Sequence, residues 1–367
     1  MRLALRELRR RPGRFATAAS ILTLIAILLM FLGGLLDGLI QTSTGAIEAQ
    51  EVDVLVYGAT SEGSFLRSRI EPEERAAIDA LPEVAQTGAL SVVQLGARVP
   101  GNGPRELANT ALWGYELAPA GVPAPPGDGE AYADDTLRAS GVTTGQQLLV
   151  GPARTPVTVL GFVKNTAYAG QGSLWANTTT WREVVNNNRP DAVLAPEVFQ
   201  ALAVRGADGT SPDQLSAAIE ESLDVIAPTV PDAVEAIPGV TEQRGTFNQI
   251  LSVTLVIALV VIALFFALIT VERTALYGVL KAIGARSRTI FGGLVVQAVV
   301  VTLIGATIAA VAVVVLDLLI PPGSIPLAIS PLRIMSSMTL LLGAAIVGCA
   351  FSLRRVLQVD PASALGS

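Results

Sequence analysis

The 367-residue chain predicts an all-α membrane domain of four transmembrane helices joined to one extracellular α+β domain. Three observations carry that expectation. Half of the residues are hydrophobic and only 15% are charged. The apolar residues gather in four runs, each at or beyond the ~20 residues a helix needs to cross a ~30 Å hydrocarbon core. Between the first two runs lies a long polar stretch whose patterning changes repeatedly between strand and helix periods.

Residues 1–14 form a cytoplasmic segment with six arginines, in which Leu3, Leu5 and Leu8 lie among the first five and Pro12 and Gly13 break it from the span. They read as an amphipathic helix on the inner membrane surface or as a plain basic stop before the span. The first span covers 15–40. Its apolar run exceeds the ~7–15 residues of a signal-peptide core, and no small-x-small cleavage site follows. Residues 41–246 form the extracellular α+β domain. Strands are expected at Val52–Gly58, Val92–Val99 and Val198–Val204, and Gln146–Gly151 with Pro156–Val163 reads as a hairpin or as adjacent strands. Helices are expected at Glu71–Leu81, Ala131–Ser140, Thr179–Asn186 and Ser211–Val225. Pro119–Pro126 is too rich in proline for either element and reads as a surface loop.

The second span covers 247–271 and carries no charge from Ser252 to Val271. A cytoplasmic helix is expected within 272–290, the third span at 291–320, an extracellular loop at 321–333, the fourth span at 334–353 and a cytoplasmic tail at 354–367. Charge orients the chain. Arg273, Lys281, Arg286 and Arg288 occupy the second-to-third link, Arg354 and Arg355 follow the fourth span, and only Arg333 lies in the short third-to-fourth link. By the positive-inside rule both termini are cytoplasmic, in the plasma membrane. The stretch from Gln41 to Thr246 carries 12 basic and 26 acidic residues, a net of −14. That exterior argues against a nucleic-acid partner, whereas the basic interior face suits anionic lipid headgroups.

Little catalytic chemistry is available. The chain has no histidine, so it holds no Ser-His or Cys-His pair, and no Gly-Lys dipeptide from which a phosphate-binding loop could be built. Its one cysteine, Cys349, falls in the fourth span, so the large domain is not a disulfide scaffold. Asp134 and Asp135 are adjacent, and neighbouring carboxylates seldom converge on one bond. The chain reads as a non-enzyme with no metal site of its own.

The second-to-third link is the sharpest local signal. Leu276, Val279, Leu280 and Ile283 recur at helical spacing among basic residues, and Gly284 ends the pattern. Such a helix fits a groove on a partner protein, or lies on lipid alone.

The run from Glu272-Arg273 through Tyr277-Gly278-Val279-Leu280-Lys281-Ala282-Ile283-Gly284-Ala285 resembles the coupling segment of FtsX/MacB-type ABC transporter permeases. So do the tail from Arg354 to Leu365 and the outer-domain runs Gly141–Gln146 and Val157–Val163, as does the order of one span, a large domain and three spans. The resemblance implies a homodimer bound to two copies of an ATPase subunit that holds ATP and Mg, with no cofactor on this chain. It implies that Glu272, Tyr277, Leu280, Lys281, Ile283 and Gly284 couple the permease to that ATPase. Ala236–Asn248 further resembles the entry to the second span in the haem-exporting HrtB and DevC group.

That likeness implies efflux of a hydrophobic or amphiphilic substrate, haem first. Two other outcomes stay open: mechanotransduction to an extracellular cell-wall hydrolase, and lipoprotein or peptide export. A haem exporter needs an apolar slot between helices with polar groups at its edge. Gly34 and Gly38 at the outer end of the first span permit close helix approach. Asp37, Gln41, Glu48 and Glu51 follow, and Glu242 precedes the second span; these five are the candidate substrate residues. Without histidine, Glu48 or Glu51 is the expected iron ligand. The same polar stripe also fits plain solvated surface. Asp317 and Gln297 in the third span, and Phe247, Phe265 and Phe266 in the second, complete the candidates.

Overall fold

The computed structural model describes residues 12–103, 105–272, 283 and 287–357. In chain order the elements are α1 (Pro12–Glu48), β1 (Val54–Gly58), α2 (Pro72–Asp79), β2 (Val84–Arg98), β3 (Leu107–Tyr115), β4 (Glu130–Asp134), β5 (Gln147–Val150), β6 (Thr155–Val163) and β7 (Gly172–Ala176). Then follow α3 (Thr178–Asn188), β8 (Ala201–Gly206), α4 (Pro212–Ser222), β9 (Val225–Ile226), α5 (Val230–Glu235), α6 (Val240–Glu272), α7 (Ser287–Leu319) and α8 (Pro331–Leu357). They divide into a helical unit, drawn from Met1–Asp37, Arg244–Leu319 and Leu327–Ser367, and a globular unit of Gly38–Gln243 with Ile320–Pro326.

The helical unit is the predicted all-α domain: four of its helices are long and apolar enough to span. Two shared cores hold them. Ala18 and Leu22 of α1 meet Ile262 and Phe266 of α6, Ala298 and Val301 of α7, and Ala345 and Cys349 of α8. Ala26, Met30, Ala258, Ala309, Val313 and Leu341 form the second. Small residues set the closest approaches, as they do where lipid removes any hydrophobic drive for helix association. A Cβ at Gly305 of α7 would lie 3.1 Å from the Ala19 carbonyl oxygen of α1, and one at Gly348 of α8 would lie 3.1 Å from the Leu259 carbonyl oxygen of α6.

The globular unit is the predicted α+β domain, built on one nine-stranded mixed sheet ordered β3-β7-β4-β6-β5-β2-β8-β1-β9. A further β2–β3 pairing closes the first six strands into a ring. The 15-residue β2 makes this possible: its Leu90–Arg98 half pairs with β3, while Val84–Leu90 pairs with β8. Side chains alternate across each strand. In the parallel β3–β7 pair, Leu112 stands opposite Leu174 and Trp113 opposite Trp175. The leucines enter one core with Val93, Leu148 and Val159. The tryptophans enter another with Tyr57, Phe65 and, from α1, Ala46 and Ile47. There Trp113 stacks on Trp175 at 5.2 Å, and Phe65 and Tyr168 meet Trp113 edge-on. Burial holds the Tyr57, Tyr115 and Tyr168 hydroxyls well above the usual phenol range. A third core packs β1 and β8 against α2 and α4 through Ile78, Leu215 and Ile219.

Helix starts follow their local sequence. Glu71 and Glu74 form a reciprocal capping box on α2, as do Ser211 and Gln214 on α4. The stretch Ala131–Ser140, expected as a helix, instead ends strand β4 at Asp134 and turns through a 3-10 segment, Asp135–Ser140. Ala131 and Ala133 favour helix by propensity, but both are fully buried between β6 and β7, and tertiary pairing prevails. The Pro119–Pro126 segment is loop, as expected.

Candidate functional site

Asp37, Gln41 and Glu48 fall on α1 and Glu242 on α6, whereas Glu51 lies past the end of α1. In the helical unit the built feature is at Gly33, Gly34 and Asp37. Arg333, in the first turn of α8, donates to both carboxylate oxygens of Asp37: from Nε to Oδ2 at 2.7 Å and from Nη2 to Oδ1. Asp37 is therefore committed to an arginine fork rather than left free for a ligand. The two glycines make the junction possible. A Cβ at Gly33 would lie 2.8 Å from Cδ of Arg333, so the arginine reaches Asp37 across bare backbone. A Cβ at Gly34 would lie 2.3 Å from Cδ1 of Ile329, and the Gly34 carbonyl accepts the Ala328 N–H at 3.0 Å. Gly34 thus admits the extended lead-in to α8, not the closely crossing helix that its spacing with Gly38 suggests.

Both partners are about a quarter to a third exposed. Their coupling should fall between a buried pair, ~3–5 kcal/mol on breaking, and a surface pair, ~0–1 kcal/mol. We expect about 1–3 kcal/mol in a cycle of Asp37→Asn, Arg333→Gln and the double variant, read from thermal unfolding in detergent. Additive losses would show that the pair contributes nothing.

In the globular unit, Gln41 is half-buried, and Glu48, Glu51 and Glu242 are exposed. Thr44 Oγ1 lies 2.8 Å from both Glu48 Oε1 and the Ile40 carbonyl oxygen. Its single proton serves the two in turn, so the Glu48 carboxylate keeps capacity for a further donor or cation. Glu51 is not on the helix with the others: α1 ends at Glu48, and the Glu51 main-chain carbonyl accepts from Arg205 Nε at 2.9 Å. Glu242 lies in the first turn of α6, where a carboxylate complements the helix dipole. Among the described residues no three acidic or cysteine side chains gather to hold a metal ion.

The end of α1 is itself gripped. Ala46 donates to the Ala167 carbonyl at 3.0 Å, and Ala169 and Gly170 donate to the Ser43 and Thr42 carbonyls at 3.0 and 2.9 Å. Gly45 admits this loop, since a Cβ there would lie 2.6 Å from the Asn165 oxygen. Thr166 anchors the loop on buried Asp134, through its N–H and its hydroxyl, both at 2.8 Å.

Within the helical unit, α1 and α6 border a shallow surface groove of only about 10 Å³. Its walls, including Ala18, Leu22, Val261 and Phe265, are wholly apolar. Phe266 also borders it but is 1% exposed and packs in the core. Gln297 is buried in α7, and Asp317, near the end of that helix, is half-buried. Of the coupling residues, Glu272 ends α6 and is exposed, and Ile283 is exposed; Tyr277, Leu280, Lys281 and Gly284 lie outside the described residues. The N-terminal amphipathic segment through residue 11 and the tail from residue 358 do so as well. Sequence reasoning left Arg333 as a lone loop cation. The signal was present: the only acid of the first span and the only base of the third-to-fourth link.

Residues 248–361 match the family described as FtsX-like permease C-terminal. A protein of Staphylococcus epidermidis, named as the HrtB permease of a hemin transport system, is 20% identical over 366 residues, covering 100% of this chain and 99% of its own. An uncharacterized ABC transporter permease of Mycobacterium tuberculosis is 28% identical over 380 residues, covering 99% of this chain and 98% of its own. Among solved structures, the periplasmic region of MacB from Actinobacillus actinomycetemcomitans aligns with 52% of this chain and 94% of its own, at 10% identity and a TM-score of 0.36. The chain thus combines four helices long and apolar enough to cross a membrane, a match to the FtsX-like permease C-terminal family over the last three of them, and end-to-end similarity to ABC transporter permeases.

Proposed function

We propose that the chain is the membrane subunit of an efflux transporter that removes an amphiphilic molecule, haem foremost, from the bilayer. Energy comes from ATP hydrolysed on two copies of a partner ATPase, and the permease works as a homodimer. The globular unit stands outside the cell and both termini inside, as the arginine distribution implies. End-to-end likeness to a protein named for hemin transport carries the substrate reading. The α1–α6 groove is far too small to hold a porphyrin as it stands, but its wholly apolar lining suits a lipid-held ring that parts the two helices. In the globular unit, the exposed Glu48 carboxylate supplies the ligand for iron, since Thr44 leaves it capacity for a further donor or cation.

The test is a haem titration of the purified permease in lipid nanodiscs. A saturable Soret shift is expected, weakened about tenfold or more by Glu48→Ala, the loss appropriate to one charged ligand. An unshifted Soret band, with no haem stimulation of the partner's ATPase, would reject haem and favour mechanotransduction or peptide export.

A further inference from the structure

The globular unit holds a second cleft, unrelated to the α1–α6 groove, between β2, α3 and the loop before α2. It is a small cleft of about 120 Å³ that opens to solvent, room for a small ligand rather than a drug-sized one. Val93, Trp181 and Val185, which share one core, supply apolar wall. Its charged lining residues are two arginines, Arg69 and Arg189, in a stretch with a net charge of −14. Neither forms an ion pair among the described residues. Arg69 uses Nη1 on the carbonyls of Leu66 and Ser68, at 3.2 and 2.6 Å. Those bonds orient the guanidinium and leave its other N–H groups unspent.

Gln200 makes the cleft more than a dent. Its side chain lines the cleft, yet the residue is only 7% exposed. Gln200 Oε1 accepts the Val92 N–H at 2.6 Å. Because a main-chain N–H requires an acceptor, that bond fixes the amide with its NH2 directed away from Val92, and this NH2 has no partner. Two guanidinium groups without ion-pair partners and an accessible amide donor, beside an indole and two valines, with no carboxylate in the lining, select one kind of ligand.

We propose that this cleft binds a small apolar carboxylate, whose head is taken by Arg69, Arg189 and the Gln200 amide and whose body lies on Trp181 and the valines. The site is independent of the haem reading and would stand if haem were excluded.

The probe is 3-phenylpropionate, titrated calorimetrically into the full-length protein in lipid nanodiscs. Saturable binding is expected for the acid and not for 3-phenylpropionamide, which has the same shape without the charge. Arg69→Gln/Arg189→Gln should weaken binding at least about tenfold. Gln200→Glu keeps an acceptor for Val92 but sets an anion in place of the donor, and should abolish binding while the thermal midpoint holds. If the double arginine variant does not fold, Gln200→Glu decides. The proposal is overturned if the acid shows no saturable binding, if the amide binds as well, if both variants bind as wild type, or if inorganic phosphate alone displaces the acid at equal concentration, which would leave the apolar wall without a role.

Discussion

Asp134→Ala is expected to destabilise the globular unit by about 3–5 kcal/mol, the cost of stripping a buried charge-assisted network. Asp134 is fully buried and accepts four hydrogen bonds: from the Thr136 N–H and hydroxyl at 3.0 and 2.6 Å, and from the Thr166 N–H and hydroxyl at 2.8 Å each. Alanine leaves those donors without an acceptor and releases the Thr166 loop that clasps Thr42–Ala46 of α1. The thermal midpoint should fall by about 10 °C. On the proposed efflux function, transport should fail as well, because the end of α1 loses its seat. A shift of a degree or two would mean that water replaces the carboxylate and that the loop is held otherwise.

Asp135 next to it provides the contrast. Burial, then the Asp134 charge, raises its carboxyl above the usual range, while Lys164 and Arg138 pull it back. A carboxyl raised by folding favours the protonated state, so its contribution is fully present below the ordinary value of ~4 and is lost as pH rises through the folded value. Asp135→Asn should therefore be harmless or slightly stabilising at neutral pH, with the difference fading in acid.

Leu280→Glu is the second large expectation. Leu276, Val279, Leu280 and Ile283 form the apolar face of the second-to-third link in sequence, and a carboxylate set against a partner's apolar groove lacks compensation. A penalty of about 3 kcal/mol weakens association with the ATPase roughly a hundredfold. Co-purification of the ATPase should disappear while the permease remains folded and membrane-inserted. Retained association would remove this link from the interface.

The spans were legible in sequence because length and apolarity alone define them. The β5–β6 hairpin, α2, α3 and α4 were legible because each has one buried face and a clear cap or turn. Strands β3 and β7 were not. Ala111-Leu112-Trp113 and Leu174-Trp175-Ala176 face a core on both sides, so the alternation that marks a half-buried strand is absent. The pairing of Asp37 with Arg333 joins positions nearly 300 residues apart, and no local pattern reports it. The need for glycine at 33 arises from the arginine that crosses it, and so appears only once α8 is in place.

ATP-dependent removal of haem from proteoliposomes tests the central claim most directly. The permease reconstituted with its ATPase should lower lipid-bound haem only when ATP is present, and the permease alone should neither hydrolyse ATP nor move haem. Haem loss without the ATPase, or ATP hydrolysis by the complex with lipid haem unchanged, would contradict an ATP-driven exporter that draws this substrate from the membrane.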